Sequence, residues 1–180
     1  FENCRKLWPV NFHENKFISQ CLKEDAFSAN EKQKIANLVN ELISISSQHG
    51  NIDAALAVNG AVIVSSALTD QKHPLRHAIM CLTDNVANDQ LKQLNQEETK
   101  KRPLQEIPYL LTKCDIFVTS EPCVMCSMAL VHSRCRRLFF METSNSQCPP
   151  DKAITNFKLH LQKNLNHHFE AWKIQPCCRN

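Results

Sequence analysis

Glycine is nearly missing from this chain: only Gly50 and Gly60 occur in 180 residues. With so few, each is expected to mark a turn that needs a positive φ. No apolar run approaches the ~20 residues needed to span a bilayer, and the start lacks a basic-then-apolar secretory pattern, so the chain reads as soluble and intracellular, nuclear or cytoplasmic, with no membrane partner. Charge of one sign does not dominate either. Charged residues make up 22% and the formal charge is +3, so nucleic-acid binding would have to come from local clusters. Internal repeats and low-complexity tracts are lacking. What is present is a 43% apolar content, enough for one ordinary core and too little chain for two. Phe1 rather than Met at the start implies a fragment or processed form.

The ten cysteines are scattered without a framework spacing, Cys123-x-x-Cys126 excepted. Reduced thiols plus one metal or redox pair are expected, in a reducing compartment. Residues 1–26 read as a lead-in. Ser28 and Glu31 have capping-box spacing, and Ile35, Leu38, Val39, Leu42 and Ile45 share one helical face up to Gly50. Residues 54–58 and 61–67 are apolar runs around Asn59-Gly60, which suits a type I′ hairpin. Pro74 can open a second helix carrying Ala78, Ile79, Leu82 and Val86 on one side. Residues 88–108 read as a polar insertion. Residues 116–119 are a strand, Pro122 starts a third helix to about His132, and residues 137–141 give a strand suited to parallel pairing. Residues 154–161 are expected to be helical and residues 168–174 an edge strand, leaving 176–180 as a tail.

Zinc favours thiolate and imidazole in tetrahedral sites, and a catalytic site leaves one position for water. His77, Cys123 and Cys126 are the candidate ligands. Two cysteines three apart at a helix start place both sulfurs on one side, where the helix dipole favours thiolates. A bare Cys-x-x-Cys fits a redox pair or core thiols equally well. The combination with an upstream His-Ala is more specific, because it matches the signature of the zinc nucleobase deaminases.

Two segments carry the resemblance: His73-Pro74-Leu75-Arg76-His77-Ala78-Ile79-Met80, and Thr119-Ser120-Glu121-Pro122-Cys123-Val124-Met125-Cys126 continuing to Arg134. They resemble the motifs of the eukaryotic tRNA adenosine-34 deaminase, its non-catalytic subunit in particular, as does Leu165-Asn166-His167-His168-Phe169. The similarity runs over residues 27–174 or so. It implies a three-layer α/β fold of the cytidine deaminase-like kind, a central mixed sheet of about five strands with helices on both faces, occupying residues 27–175. It also implies one zinc ion per chain and, at the position after the histidine, a glutamate that shuttles protons. Here Ile79 stands at that position. Positioned acid–base catalysis is worth ~10²–10⁴ in rate, so no catalytic residue is assigned. Glu121 is the nearest carboxylate in sequence. Ser65-Ser66-Ala67-Leu68 falls where active relatives usually carry a base-holding asparagine.

By resemblance, the role is a structural and tRNA-binding subunit paired with a catalytic deaminase subunit in a heterodimer. Zinc would then stabilise the fold, with Cys177 or Cys178 as possible fourth ligands. Arg134, Arg136 and Arg137, expected near the site entrance, are the best candidates for RNA contact, followed by Lys72, His73 and Arg76, and by Lys100, Lys101 and Arg102 in the insertion. Two other readings stand beside this one: an active deaminase with an unusual proton carrier, and a zinc-stabilised interaction module.

Overall fold

A computed structural model describes residues 26–97, 108–141 and 152–175, and the chain divides into two compact units, residues 1–36 and 37–180. In the first, the expected capping box forms. The Ser28 N–H donates to Glu31 Oε2 at 3.1 Å, and the Glu31 N–H donates to Ser28 Oγ at 3.3 Å. These bonds satisfy donors that a helix start leaves without intrahelical partners. Helix α1, Ala29–Gln48, begins there and buries Val39, Leu42 and Ser46. Its end is marked by left-handed backbone at Gly50 (φ +80) and Asn51 (φ 60), the usual stop for a helix.

The second unit is built on five strands: β1 Ala54–Asn59, β2 Val62–Leu68, β3 Asp115–Val118, β4 Arg137–Met141 and β5 Glu170–Ile174. They form one sheet in the order β2-β1-β3-β4-β5. Strand β1 runs antiparallel to both neighbours, while β4 runs parallel to β3 and β5, so the expected mixed sheet is present. The hairpin differs in detail. Asn59 pairs with Val62, so the loop is Gly60-Ala61, with positive φ at Gly60 (+66) and not at Asn59. That sign pattern belongs to a type II′ turn, not type I′.

Helices α2, Ala78–Glu97, and α3, Val124–His132, share one core with alternate sheet residues: Ala55 and Ala57, Ile116 and Val118, Leu138 and Phe140. The other alternation places Leu56, Val58, Phe117 and Phe139 out of solvent as well, with the two phenylalanine rings stacked at 4.7 Å. Burial on both faces makes β1, β3 and β4 near-continuous apolar runs.

Three expectations are corrected. Helix α2 starts at Ala78 rather than Pro74, because the preceding segment closes into turns: the Asp70 N–H donates to Arg76 O at 2.9 Å and the Leu75 N–H to His73 Nδ1 at 3.2 Å. Side-chain acceptors of this kind compete with helix formation. Helix α2 also continues to Glu97, into the segment expected to be a polar insertion. Its half-buried Ala87, Gln90 and Leu94 keep helical spacing, and Gln90 Nε2 donates to Leu110 O at 3.0 Å. A polar surface helix carries only a sparse apolar stripe, so its sequence resembles a loop. Residues 98–107 lie outside the described residues. Finally, residues 154–161 form turns and a short 3-10 helix, Leu159–Leu161, because Lys158 takes a left-handed conformation (φ 47) that no α-helix continues through.

Candidate metal centre

Two helix starts converge on the three candidate ligands. The His77 carbonyl accepts the Cys81 N–H at 3.0 Å and the Cys123 carbonyl accepts the Ser127 N–H at 2.9 Å. His77 and Cys123 therefore close the first turns of α2 and α3, and Cys126 follows one turn into α3. At α2, Thr69 Oγ1 accepts the Ala78 N–H at 2.9 Å, a cap supplied from the end of β2. Helix starts carry positive partial charge, which favours thiolates.

His77 Nδ1 lies 3.6 Å from Cys123 Sγ and 3.4 Å from Cys126 Sγ, and the three atoms fall within 4.8 Å of one another. Zinc bonds of ~2.3 Å to sulfur and ~2.0 Å to nitrogen at a tetrahedral angle set a sulfur–nitrogen edge of about 3.5 Å. The donor set and its spacing fit that ion. Both cysteines are buried and His77 is half-buried.

A cavity of about 20 Å³ adjoins the triad, lined among others by Asp53, Thr69, Ile79 and Ser120. It has room for one water molecule, whereas small-molecule sites occupy ~300–1,000 Å³. Ile79 is 4% exposed and packs in the main core. Glu121 is committed elsewhere. Its Oε1 accepts the N–H groups of Ile154 (3.1 Å) and Thr155 (2.7 Å) and the Thr155 hydroxyl (2.9 Å), so it fixes the 152–155 turn. The carboxylate at the cavity is Asp53, which accepts the Thr119 hydroxyl at 3.2 Å. Sequence reasoning missed it. Its only signal is an acid immediately before the apolar run of β1. Residues 65–68 do not line the cavity; Thr69 does.

The model of the family described as the cytidine and deoxycytidylate deaminase zinc-binding region matches residues 29–142. The chain belongs to this family. Among curated relatives of this deaminase-family chain is the "Probable inactive tRNA-specific adenosine deaminase-like protein 3" of Danio rerio, 34% identical over 96% of the chain and 56% of the relative. Another is the "tRNA-specific adenosine deaminase subunit tad3" of Schizosaccharomyces pombe, 29% identical over 96% of the chain and 54% of the relative. The chain thus spans a little over half the length of the relatives it matches. A solved structure from "Biochemical and Structural Studies of A-to-I Editing by tRNA:A34 Deaminases at the Wobble Position of Transfer RNA" superposes with a TM-score of 0.51 at 17% identity, covering 81% of this chain and 100% of that one. It confirms the deaminase fold.

The arginines are not at the entrance to this deaminase-family centre. Arg137 and Asp115 pair at the starts of the parallel strands β4 and β3, whereas Cys123 follows the end of β3. Helix α3, nine residues long, separates the two ends by ~13 Å. A parallel crossover leaves the sheet at one end and returns at the other, so residues after α3 fall opposite the metal ligands. Arg136 and Arg137 each clamp Asp115 bidentately, at 2.7 to 2.8 Å and 2.6 to 3.0 Å. Burial pushes the Asp115 carboxyl up, but its bonds to Arg137 and Arg136 outweigh that and hold it below the usual range. Arg134 lies over the Tyr109 ring, 5.6 Å from its centroid. Arg76 makes exposed pairs with Asp70 (3.8 Å) and Asp84 (3.7 Å), and the Lys72 N–H donates to Asp70 Oδ1, both beside the start of α2. Burial pushes the Cys114 and Cys135 thiols up, which leaves them protonated and unreactive. Cys177, Cys178, Lys100, Lys101 and Arg102 lie outside the described residues. Among those described, no helix is long and apolar enough to cross a membrane.

Proposed function

We propose that this chain is the non-catalytic, structural and tRNA-binding subunit of a zinc-dependent deaminase that converts adenosine to inosine at position 34 of tRNA, paired with a related catalytic subunit. The observation that carries the reading is Ile79, buried one residue after His77 beside a cavity of about 20 Å³. Isoleucine cannot relay the proton that deamination requires. The names of the relatives support the same role. His77, Cys123 and Cys126 would hold one zinc ion per chain, with the fourth position taken by a water or by Cys177 or Cys178. The bound ion supplies folding free energy by tying two helix starts together. Lys72 and Arg76, near the metal centre, and Arg134, Arg136 and Arg137, at the far end of the sheet, would contact RNA. The protein would work in the nucleus, the cytoplasm or both.

Asp53 at the cavity favours a second reading, an active deaminase with an aspartate as proton carrier. One experiment separates the two. The protein is purified with its associated protein and alone, its zinc is measured, and tRNA and free nucleosides are assayed for deamination. The subunit reading expects about one zinc per chain and inosine in tRNA only with the partner. Deamination by the isolated chain, lost on Asp53→Asn, would replace it.

A further inference from the structure

The corner opposite the metal centre combines features that the centre does not use. The loops 108–115 and 133–137 are tied together by the Leu111 N–H donating to Ser133 O (3.0 Å) and the Arg136 N–H donating to Cys114 O (2.9 Å). Of the five non-glycine residues with positive φ among the described residues, three sit here: Leu110 (41), Lys113 (68) and Arg134 (58). Such conformations cost free energy and persist where surrounding bonds enforce them. The enforced backbone presents Tyr109, 57% exposed, with the Arg134 guanidinium over its ring. Beside them, Arg136 remains 51% exposed while its clamp on Asp115 fixes its direction. The two loops hold four cations (Lys113, Arg134, Arg136, Arg137) and one carboxylate (Asp115). Glu170, in register with Arg137 on β5, brings a second acid, so among the described residues four cations stand beside two acids.

An aromatic ring paired with a guanidinium, set in a rigid cationic corner, has the chemistry that receives an unstacked base and its flanking phosphates. We propose that this corner is a second RNA contact, a platform on which one base of a single-stranded segment stacks on Tyr109 and Arg134 while phosphates meet Arg136 and Lys113. The proposal rests on the tRNA-binding reading above and deepens it: the far-side arginines named there gain a base-stacking platform in Tyr109. The positive excess favours RNA over a protein partner, for which Tyr and Arg would serve as anchors without it.

The test uses the protein with its co-purified partner and a single-stranded RNA oligonucleotide carrying a fluorescent adenine analogue. Binding is expected to quench the analogue. Tyr109→Ala should weaken binding roughly tenfold and abolish the quench, Tyr109→Phe should keep both, and Lys113→Gln should lower the salt slope by about one. Arg134→Asn, which tolerates left-handed backbone, should weaken the quench with an unchanged unfolding midpoint. Unchanged affinity and quench in Tyr109→Ala and Arg134→Asn would overturn the platform while leaving the subunit reading intact. Loss of the co-purifying protein on Tyr109→Ala, with RNA binding kept, would reassign the corner to protein contact. If the assembly fails to bind tRNA, the subunit reading fails, and the oligonucleotide quench still decides for or against the platform.

Discussion

Asp115→Asn tests the two-arginine clamp and its separation from the metal centre together. The Asp115 side chain is 8% exposed and accepts from Arg137, 19% exposed, and from Arg136, 51% exposed. Removing the charge leaves two guanidiniums facing each other across a neutral amide. Breaking a buried pair costs ~3–5 kcal/mol, and the exposure of Arg136 lets water compensate part of it, so about 3 kcal/mol is expected. In a chain of this size 1 kcal/mol moves the unfolding midpoint by roughly 2–4 °C, giving a fall of about 6–12 °C at neutral pH. The acid limb supplies the sign. The folded carboxyl is held below its ordinary range, so its contribution is present above the unfolded value of ~3.9 and is lost as pH falls through the folded value. Thermal melts followed by circular dichroism should therefore show wild type and variant converging below pH ~4. Zinc content should not change, because the triad lies at the other end of the sheet. A midpoint shift under ~3 °C, a gap that persists in acid, or loss of zinc with the charge would each refute the reasoning.

On the proposed reading, Ile79→Glu supplies a carboxylate one residue after His77 without enlarging the cavity. The variant should form no inosine from tRNA or adenosine by itself, and should melt at lower temperature because a buried apolar side chain worth ~1.5–3 kcal/mol is replaced by a carboxylate; measurable turnover would show that the cavity opens. Cys126→Ser should lower zinc content in metal analysis by an order of magnitude or more and make a chelator without further effect on the melt, whereas wild type should melt earlier in chelator. Glu121→Ala strands two backbone N–H groups and the Thr155 hydroxyl, so a loss of about 1–3 kcal/mol in denaturant unfolding is expected with zinc retained; zinc loss there would make Glu121 part of the metal site.

Local chemistry was legible in the sequence, and long-range placement only where the family resemblance carried it, as for His77 with Cys123 and Cys126. The Ser28–Glu31 box and the strands around Gly60 follow from contacts within a few residues, and those elements stand where their residues put them. The turn type at Gly60 depends on cross-strand register, which Asn59-Gly60 does not encode. Pro74 suited a helix start, yet Asp70, His73 and Thr69 redirect the chain and cap α2 four residues later. The arginines after α3 looked adjacent to Cys123 and Cys126 because nine helical residues are short in sequence; in space they cross the whole sheet. Glu121 is the nearest carboxylate in sequence, yet Asp53 reaches the cavity and Glu121 holds the 152–155 turn, since only tertiary packing shows which carboxylate goes where.

The small cavity beside His77 has a practical consequence. Nucleoside inhibitors that mimic the hydrated intermediate need both a zinc-bound oxygen and a seat for the ring. Among the described residues, the cavity beside the triad is about 20 Å³, smaller than such a ring. In an assembly with an active relative, such a compound would titrate only the relative's sites, and its stoichiometry would count working centres while a zinc assay counts every centre.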